Sequence, residues 1–189
     1  MKKILVIDNY DSFTYNLVYL LRKYADVTVL KNDQVSKEQA AEYDKLLFSP
    51  GPGIPVEAGN MCALIQEFAG KKPILGICLG HQAIGEIFGG QLKNLSHVYH
   101  GIATPITLKS ETAYIFKDVP VQFDAGRYHS WVVDGSTMPE ILEVTAVDNA
   151  GMVMGLKHKD YDIIGLQFHP ESIMTEHGET MITNWVNHE

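Results

Sequence analysis

The sequence predicts an α/β fold with a mostly parallel central sheet, helices on both faces and extra antiparallel β structure in the C-terminal half. In the first 90 residues, short apolar runs alternate with stretches whose apolar side chains recur at helical spacing. Such alternation is typical of parallel sheets, because each crossover helix packs on a face of the sheet. Beyond residue 90, short β-rich runs are separated by turn residues, which predicts antiparallel strands.

The first half of the chain predicts four strands and four helices. Asp11 and Ser12 provide a polar start for the first helix. Ser36 followed by Gln39 matches a capping box, which predicts that a short second helix begins there. The predicted strands are 3–8, 27–30, 46–48 and 73–77, and the other predicted helices are 13–24, 61–68 and 79–88.

The second half predicts shorter β runs and one closing helix. The runs are 106–108, 122–125, 142–147, 152–156 and 163–168, and the helix is 175–186. No repeat, linker or shift in composition marks a second unit, so we predict a single domain over 1–189. Ligands bind beyond the carboxyl ends of strands in such sheets, which is where Asp8, Ser49, Cys78 and His169 fall.

Composition argues against several classes of partner. The chain has 189 residues, 46% of them hydrophobic, a formal net charge of -8 and a sequence pI near 5.4. An acidic chain without a lysine or arginine cluster disfavours a nucleic-acid partner. No apolar run approaches the roughly 20 residues that span a membrane. The chain begins with a predicted strand instead of a signal peptide, so we expect a cytoplasmic protein with reduced cysteines.

Cys78 stands between the fourth predicted strand and the fourth predicted helix, within the sequence GICLG at 76–80. Small residues two positions before and after it permit a strained turn that exposes the central side chain, as in the nucleophile elbow of hydrolases. Free N–H groups at the helix start favour a thiolate there. Most lone cysteines are inert core residues, but the flanking glycines favour a nucleophile at Cys78.

A base and an acid to orient it occur together in the sequence QFHPE at 167–171. A cysteine nucleophile needs a histidine to carry its proton and a third group to fix the ring, and His169 and Glu171 fit these roles. The pair is also half of a zinc deaminase signature, but the Pro-Cys-x-x-Cys that completes it does not occur in the sequence. His97 and His100 lack a neighbouring cysteine or carboxylate set, so we predict no metal site.

The motifs around Cys78 and His169 resemble those of the class I (triad type) glutamine amidotransferases. The other stretches are similar to the chorismate-using branch, which contains the glutaminase subunits of anthranilate synthase and aminodeoxychorismate synthase. The resemblance covers nearly the whole chain and implies a flavodoxin-like fold. The motifs are DNYDSFTYNL at 8–17, SPGPG at 49–53, GICLGHQ at 76–82, RYHSW at 127–131 and FHPES at 168–172.

The resemblance implies a role for each matching residue. Cys78, His169 and Glu171 would form a triad that hydrolyses L-glutamine through a glutamyl thioester. Main-chain N–H groups of Gly51 and Leu79 would form the oxyanion hole. The positions that match the family's glutamine-binding residues are Gly51, Pro52, Gly53, Gln82, Ser130 and Trp131. Trp131 replaces the leucine expected after His-Ser, a change that need not disturb a main-chain contact.

The resemblance also implies a separate synthase partner. One amidotransferase-sized domain has no room for an ammonia acceptor, so ammonia would pass to a chorismate-binding synthase subunit. Gly53 favours anthranilate synthase, with aminodeoxychorismate synthase, or both, as alternatives. No cofactor is expected in this chain, and Mg²⁺ is expected in the partner. Two further alternatives remain. A cysteine peptidase or γ-glutamyl hydrolase would have no need of Gln82, and a catalytically silent regulatory module would have no need of the intact triad.

Overall fold

The computed structural model describes residues 1–109 and 113–189, and every strand in them belongs to one sheet. The strands are β1 (Lys3–Asp8), β2 (Asp26–Lys31), β3 (Lys45–Phe48), β4 (Ile74–Ile77), β5 (Leu92–Leu108), β6 (Gln122–Val133), β7 (Leu142–Asp148), β8 (Val153–His158) and β9 (Ile163–Leu166). The α-helices are α1 (Thr14–Leu21), α2 (Lys37–Ala41), α3 (Met61–Phe68), α4 (Leu79–Ile87) and α5 (Gly178–Asn187). No helix in the described part of the chain combines the length and apolarity needed to cross a membrane.

The sheet is mixed, with the strand order β2-β1-β3-β4-β9-β8-β7-β5-β6. The pairings from β2 through β9 are parallel, and those from β9 to β6 are antiparallel. The prediction of a mostly parallel sheet is therefore only partly correct. The last strand, β9, pairs with β4 on one side and β8 on the other. This placement joins the C-terminal β structure to the parallel strands as one continuous sheet.

Helices cover both faces of the parallel half, as predicted. Leu17 of α1 and Trp185 of α5 belong to a buried apolar cluster on one face, together with Ile4 of β1. The adjacent residue Leu5 belongs to the cluster on the other face, where Leu64 of α3 also packs. Successive side chains in a strand point to opposite faces, so the four central residues of β1, 4–7, are all apolar because both faces of the strand are buried.

The first half of the chain follows its predicted pattern closely. Helix α3 has the predicted bounds, and the capping box of α2 is confirmed, with the Ser36 side chain accepting from the Gln39 backbone N–H. In the second half, β5 and β6 are far longer than the predicted runs 106–108 and 122–125. Most β5 side chains are exposed, so its sequence has no alternation of apolar and polar residues that would predict a strand. The strand forms because it pairs with β6.

The closing helix begins three residues later than predicted, at Gly178. Thr175 belongs to the turn after β9 instead of to the helix. Its backbone N–H donates to the Ser172 carbonyl, and its hydroxyl donates to the His169 carbonyl at 2.5 Å. These bonds hold the turn against the backbone at His169. The turn separates the extended segment after β9 from the start of α5.

Helix α4 lies directly on the backbone of the sheet at its N-terminal turn. A Cβ atom at Gly80 would lie 2.6 Å from the carbonyl oxygen of Phe48 in β3. A Cβ atom at Gly76 would lie 2.5 Å from the carbonyl oxygen of Gly80. Real Cβ atoms do not approach other atoms so closely, so only glycine permits this contact. The contact sets the position of residue 78, where the helix begins.

We expect Gly80→Ala to lower the free energy of unfolding by about 2–3 kcal/mol, because the added methyl group forces α4 away from β3. Gly135→Ala is a matched control, since its Cβ would lie at an ordinary 3.5 Å from Val153 Cγ2. That variant should change stability by no more than about 0.5 kcal/mol. Urea denaturation followed by far-UV circular dichroism measures both values. Equal losses in the two variants would show that α4 does not depend on this approach.

Candidate active site

Cys78 occupies the junction between β4 and α4 in a strained backbone conformation, with φ 52° and ψ −99°. Positive φ is uncommon for residues other than glycine and often marks a functional site. The Cys78 backbone N–H donates to the Leu166 carbonyl of β9 at 2.8 Å, which anchors the turn. The side chain is only 5% exposed. The strained turn is thus present, but the prediction that it exposes the thiol to solvent is wrong, because residues after β1, β3 and β9 surround it.

His169 and Glu171 form a buried pair beside the cysteine. His169 Nδ1 lies 2.6 Å from Glu171 Oε1, and neither side chain is more than 2% exposed. The rings of Tyr128 and Phe13 approach the His169 ring edge-on, with centroid distances of 4.8 Å and 6.0 Å. The ring therefore has a fixed orientation, with Nδ1 directed at the acid and Nε2 on its opposite side.

The His169 ring is electrostatically suited to carry a proton. Burial lowers the pKa of His169, but the Glu171 carboxylate and the Cys78 sulfur outweigh burial and raise this pKa well above 6.5. Among the described residues, His169 Nε2 has no partner in hydrogen-bonding geometry. The sulfur is nevertheless close enough to act on the charge of the ring. This arrangement fits the predicted roles of Cys78 as a nucleophile and His169 as its proton carrier, which stay predictions.

A pocket of about 520 Å³ opens above Cys78 and His169. This volume falls in the usual range of small-molecule sites, roughly 300–1,000 Å³. Its walls come from the segments after β1, β3 and β4, from β5 and β6, and from the turn after β9. The lining residues are Tyr10, Asp11, Ser12, Phe13, Pro50, Gly51, Pro52, Cys78, His100, Tyr128 and His169.

The segment containing Gly51 packs against the nucleophile turn. A Cβ atom at Gly51 would lie 2.6 Å from the Asn9 carbonyl oxygen and 3.1 Å from Leu79 Cδ2. Asn9 fixes the segment, because its Nδ2 donates to the Ser49 carbonyl at 2.7 Å. Within the described residues, the backbone N–H groups of Gly51 and Leu79 make no hydrogen bond to another backbone group. Two donors are therefore available next to Cys78, as an oxyanion hole requires.

The remaining residues predicted to bind glutamine lie farther from the pocket. Gln82 is buried, and its Nε2 donates to the Trp131 carbonyl at 3.0 Å and to Gln167 Oε1 at 3.2 Å. Ser130 and Trp131 are half-buried in β6, and Gly53 is exposed with φ 75°. Of the predicted set, Gly51 and Pro52 line the pocket, whereas Gly53, Gln82, Ser130 and Trp131 do not. Their contacts with glutamine stay predictions.

The acidic loop at 8–11 has a structural arrangement. Asp8 accepts a hydrogen bond from the Thr14 hydroxyl at 2.9 Å and pairs with Lys31 at 2.5 Å. Burial raises the pKa of Asp8, but these two bonds, the Asp11 backbone N–H and the Lys31 charge together outweigh burial, and the net shift is downward. In the part of the chain that the structure describes, no three His, Cys, Asp or Glu side chains are grouped to hold a metal.

Sequence reasoning missed two residues at the site. Gln167 Nε2 lies 3.5 Å from the Cys78 sulfur, and His100 lines the pocket from β5. A signal for Gln167 existed, because side chains two apart in an extended segment share a side and Gln167 stands two positions before His169. His100 had no such signal, since its position depends on the irregular pairing of β5 with β6.

Comparison with known proteins identifies relatives of similar length. The family model for class-I glutamine amidotransferases matches residues 5–188. The chain is 51% identical over 186 residues to anthranilate synthase component 2 of Lactococcus lactis subsp. lactis, covering 97% of this chain and 93% of that protein. It is 44% identical over 186 residues to aminodeoxychorismate/anthranilate synthase component 2 of Bacillus subtilis, covering 97% and 95% of the two chains.

Other relatives are much longer or share mainly structure. The chain is 46% identical to part of the multifunctional tryptophan biosynthesis protein of Phycomyces blakesleeanus. The alignment includes 97% of this chain but only 24% of that longer protein. A solved structure from Thermoplasma acidophilum, assigned as part of a GMP synthase, matches with a TM-score of 0.88 and 27% identity over 98% of this chain and 92% of that chain. Since the family model extends over nearly the whole sequence, the chain belongs to the class I glutamine amidotransferases.

Proposed function

We propose that this chain hydrolyses L-glutamine at Cys78 and supplies the ammonia to a chorismate-binding synthase subunit. The observation that carries the proposal is that buried Cys78 and His169 line one pocket while buried Glu171 pairs with His169. Anthranilate synthase is the favoured assembly, because the Lactococcus relative is named as its component 2 and Gly53 favours the same branch. Aminodeoxychorismate synthase is the second candidate, since the name of the Bacillus relative includes both.

Glutamine binding would place the side-chain amide carbon above the Cys78 sulfur. The walls at Gly51 and Pro52 would contact the amide end, and Ser130 and Trp131 would contact the α-amino acid end through their main chain. Gln82 already donates to two acceptors, so its Oε1 would be the atom available to the substrate. The proposed glutamine contacts are Gly51, Pro52, Gly53, Gln82, Ser130 and Trp131.

In the first half of the proposed reaction, the Cys78 thiolate attacks the amide carbon and a C–S bond forms. The carbonyl electrons move to oxygen, where the N–H groups of Gly51 and Leu79 stabilise the negative charge. Protonated His169 then gives its Nε2 proton to the amide nitrogen. The C–N bond breaks, ammonia leaves, and a γ-glutamyl thioester remains on Cys78.

In the second half, water attacks the thioester while neutral His169 takes its proton at Nε2. The same two N–H groups hold the second oxyanion. The C–S bond breaks, glutamate leaves, and the thiolate is restored beside protonated His169. Glu171 accepts the Nδ1–H throughout, so it keeps the ring in one orientation and stabilises its positive form.

The partner would receive ammonia from the mouth of the pocket, where Tyr10 is 52% exposed and His100 is also exposed. Under this proposal, the chain is one amidotransferase domain over 1–189, acts in the cytoplasm and has no cofactor of its own. Mg²⁺ would belong to the partner synthase. The exposed rim would be covered when the two proteins assemble, so that ammonia does not escape to solvent.

Three substitutions test the triad. We expect Cys78→Ala to abolish glutamine hydrolysis and His169→Ala to reduce kcat by about 10⁴-fold or more, because each removes a reacting group. Glu171→Gln should cost roughly 10- to 100-fold less than the histidine change, since it only weakens the orientation of the base. Glutamate release, measured by a coupled dehydrogenase assay, gives the rates. Cys62→Ala is the control and should leave turnover intact, because Cys62 lies on α3 away from the pocket. Equal residual rates for the His169 and Glu171 variants would contradict these assignments.

The pH profile of Glu171→Gln provides an independent test. Protonated His169 is the form that protonates the leaving ammonia, and this form is lost as pH rises through the His169 pKa. Glu171 raises this pKa in the folded protein. Removing its negative charge should therefore move the alkaline limb of kcat/KM for glutamine to lower pH. A profile from pH 6 to 10 measures the limb in both proteins, and an unmoved limb would exclude His169 as the proton donor.

Reconstitution with a synthase partner tests the route of ammonia. A complex containing Cys78→Ala should form no product from chorismate and glutamine, yet should form product from chorismate and ammonium chloride. Only amide cleavage has been removed, and the acceptor site lies in the partner. Fluorescence of anthranilate and chromatography of aminodeoxychorismate distinguish the two candidate assemblies. Glutamine-dependent product from the variant would refute the mechanism, and failure of the unmodified chain to support either synthase with glutamine would refute the proposed partner.

A further inference from the structure

A buried hydrogen-bonded network begins at Asp148 on β7 and leads toward the nucleophile. Arg127 Nη1 pairs with Asp148 Oδ2 at 2.8 Å, and both side chains are at most 5% exposed. Arg127 Nε donates to His129 Nε2 at 3.1 Å. His129 Nδ1 lies 2.9 Å from the Trp131 carbonyl oxygen. The guanidinium also packs 3.6 Å above the centre of the Tyr99 ring, which fixes its plane.

The direction of each bond in this part of the network is determined by its end groups. Arginine only donates, so His129 Nε2 must accept and His129 Nδ1 must carry the proton. A carbonyl only accepts, which agrees with donation from Nδ1 to Trp131. Burial and the Arg127 charge lower the pKa of His129 to about 3, so the ring stays neutral in this arrangement.

The network continues from Trp131 to the nucleophile through two glutamines. Because the Trp131 carbonyl only accepts, Gln82 must direct its amide nitrogen toward it. The same nitrogen donates to the Gln167 side chain, so Gln167 must present its oxygen, Oε1, to Gln82. The Gln167 amide nitrogen then points to the Cys78 sulfur, 3.5 Å away. The sulfur is therefore an acceptor in this bond.

We propose that Gln167 is a catalytic residue that stabilises the Cys78 thiolate by donating a hydrogen bond to it. Gln82 is a positioning residue, because its bond to the Trp131 carbonyl fixes which end of the Gln167 amide faces the sulfur. His129 and Arg127 contact the other side of this carbonyl and hold it in place. A hydrogen bond to a charged acceptor is stronger than one to a neutral acceptor, so the bond favours the ionised sulfur. The role in glutamine hydrolysis rests on the proposed function, whereas the effect on the sulfur does not.

The chemical setting of Gln167 supports this role over simple packing. Its side chain is fully buried, and the residues before and after it in the chain, Leu166 and Phe168, are buried and apolar. Among the described residues, the Cys78 sulfur is the acceptor its Nε2 meets. An apolar side chain of the same size would fill the space without needing partners for an amide. A hydrogen bond that stabilises the Cys78 sulfur explains why an amide side chain occupies position 167.

Alkylation of Cys78 by iodoacetamide tests the proposal without glutamine. The test uses the Cys62→Ala background, so that Cys78 is the sole thiol. Gln167→Met keeps the length of the side chain and removes the donor, and it should slow alkylation at pH 7 by about tenfold, the effect of one hydrogen bond to an ion. The deficit should disappear at high pH, where the thiol ionises without help. Gln66→Met on the exposed side of α3 is the matched control and should alkylate at the parent rate.

A double-mutant cycle distinguishes orientation from general loosening of the site. Gln82→Met should slow alkylation less than Gln167→Met does, because Gln167 can still donate but is no longer oriented. The variant carrying both changes should be no slower than Gln167→Met alone, since Gln82 acts through Gln167. If the fold-loss of alkylation in the double variant equals the product of the two single fold-losses, the two residues act independently and the positioning role is overturned. The ionisable groups around the sulfur, His169, Glu171, Asp11 and His100, are identical in all these proteins.

Each outcome separates this inference from the proposed function. Parent-like alkylation in folded Gln167→Met overturns the inference, even if glutamine hydrolysis is normal in the unmodified chain. Slow alkylation in a set of variants whose parent does not hydrolyse glutamine supports the inference and refutes the proposed function. If the methionine variant does not fold, Gln167→Asn takes its place, because it keeps the amide but shortens its reach. It should show the same loss at pH 7, and a parent-like rate would overturn the inference.

Discussion

The direct contact between the N-terminal turn of α4 and the backbone of β3 and β4 is the constraint on which the active site depends. Without side chains at Gly76 and Gly80, the helix begins immediately after the strand, and Cys78 must adopt a left-handed φ of 52°. Such strain costs on the order of 1–3 kcal/mol. It is offset by the Cys78 hydrogen bond to β9 and by burial of the α4 face that includes Leu79 and Ile84. The thiol is thus held in place before any substrate arrives.

The position of β9 in the middle of the sheet completes the site. Because β9 is parallel to β4, with Ile77 opposite Leu166, both strands end at the same edge. Cys78 directly follows β4, and the segment that leads to His169 directly follows β9. The antiparallel side of β9 brings the C-terminal strands close enough for β6 to cover the nucleophile.

The sequence predicts those features that depend on local chemistry and fails where long-range pairing decides. The apolar runs and the glycines at 76 and 80 indicate the parallel strands and the nucleophile turn, because their causes lie within a few residues. The length of β5 follows from its pairing with β6, which no local pattern reports. Burial of Cys78 follows from distant loops that meet above it. Gln167 differs, because its spacing from His169 is a local signal, but its bond to Gln82 joins it to a residue in a different element.

The chemistry and the choice of partner depend on different parts of this fold. The proposed triad and the side chains bonded to it are buried, and they lie mainly at the ends of β4 and β9 and on β6. The rim of the pocket is exposed and includes Tyr10 and His100. A relative named for anthranilate synthase alone and a relative named for both synthases share 51% and 44% identity with this chain, so similarity to them does not distinguish the two names. In the proposed assembly, discrimination between the two chorismate-using partners would arise at the rim, where substitutions change a docking surface without disturbing the buried network.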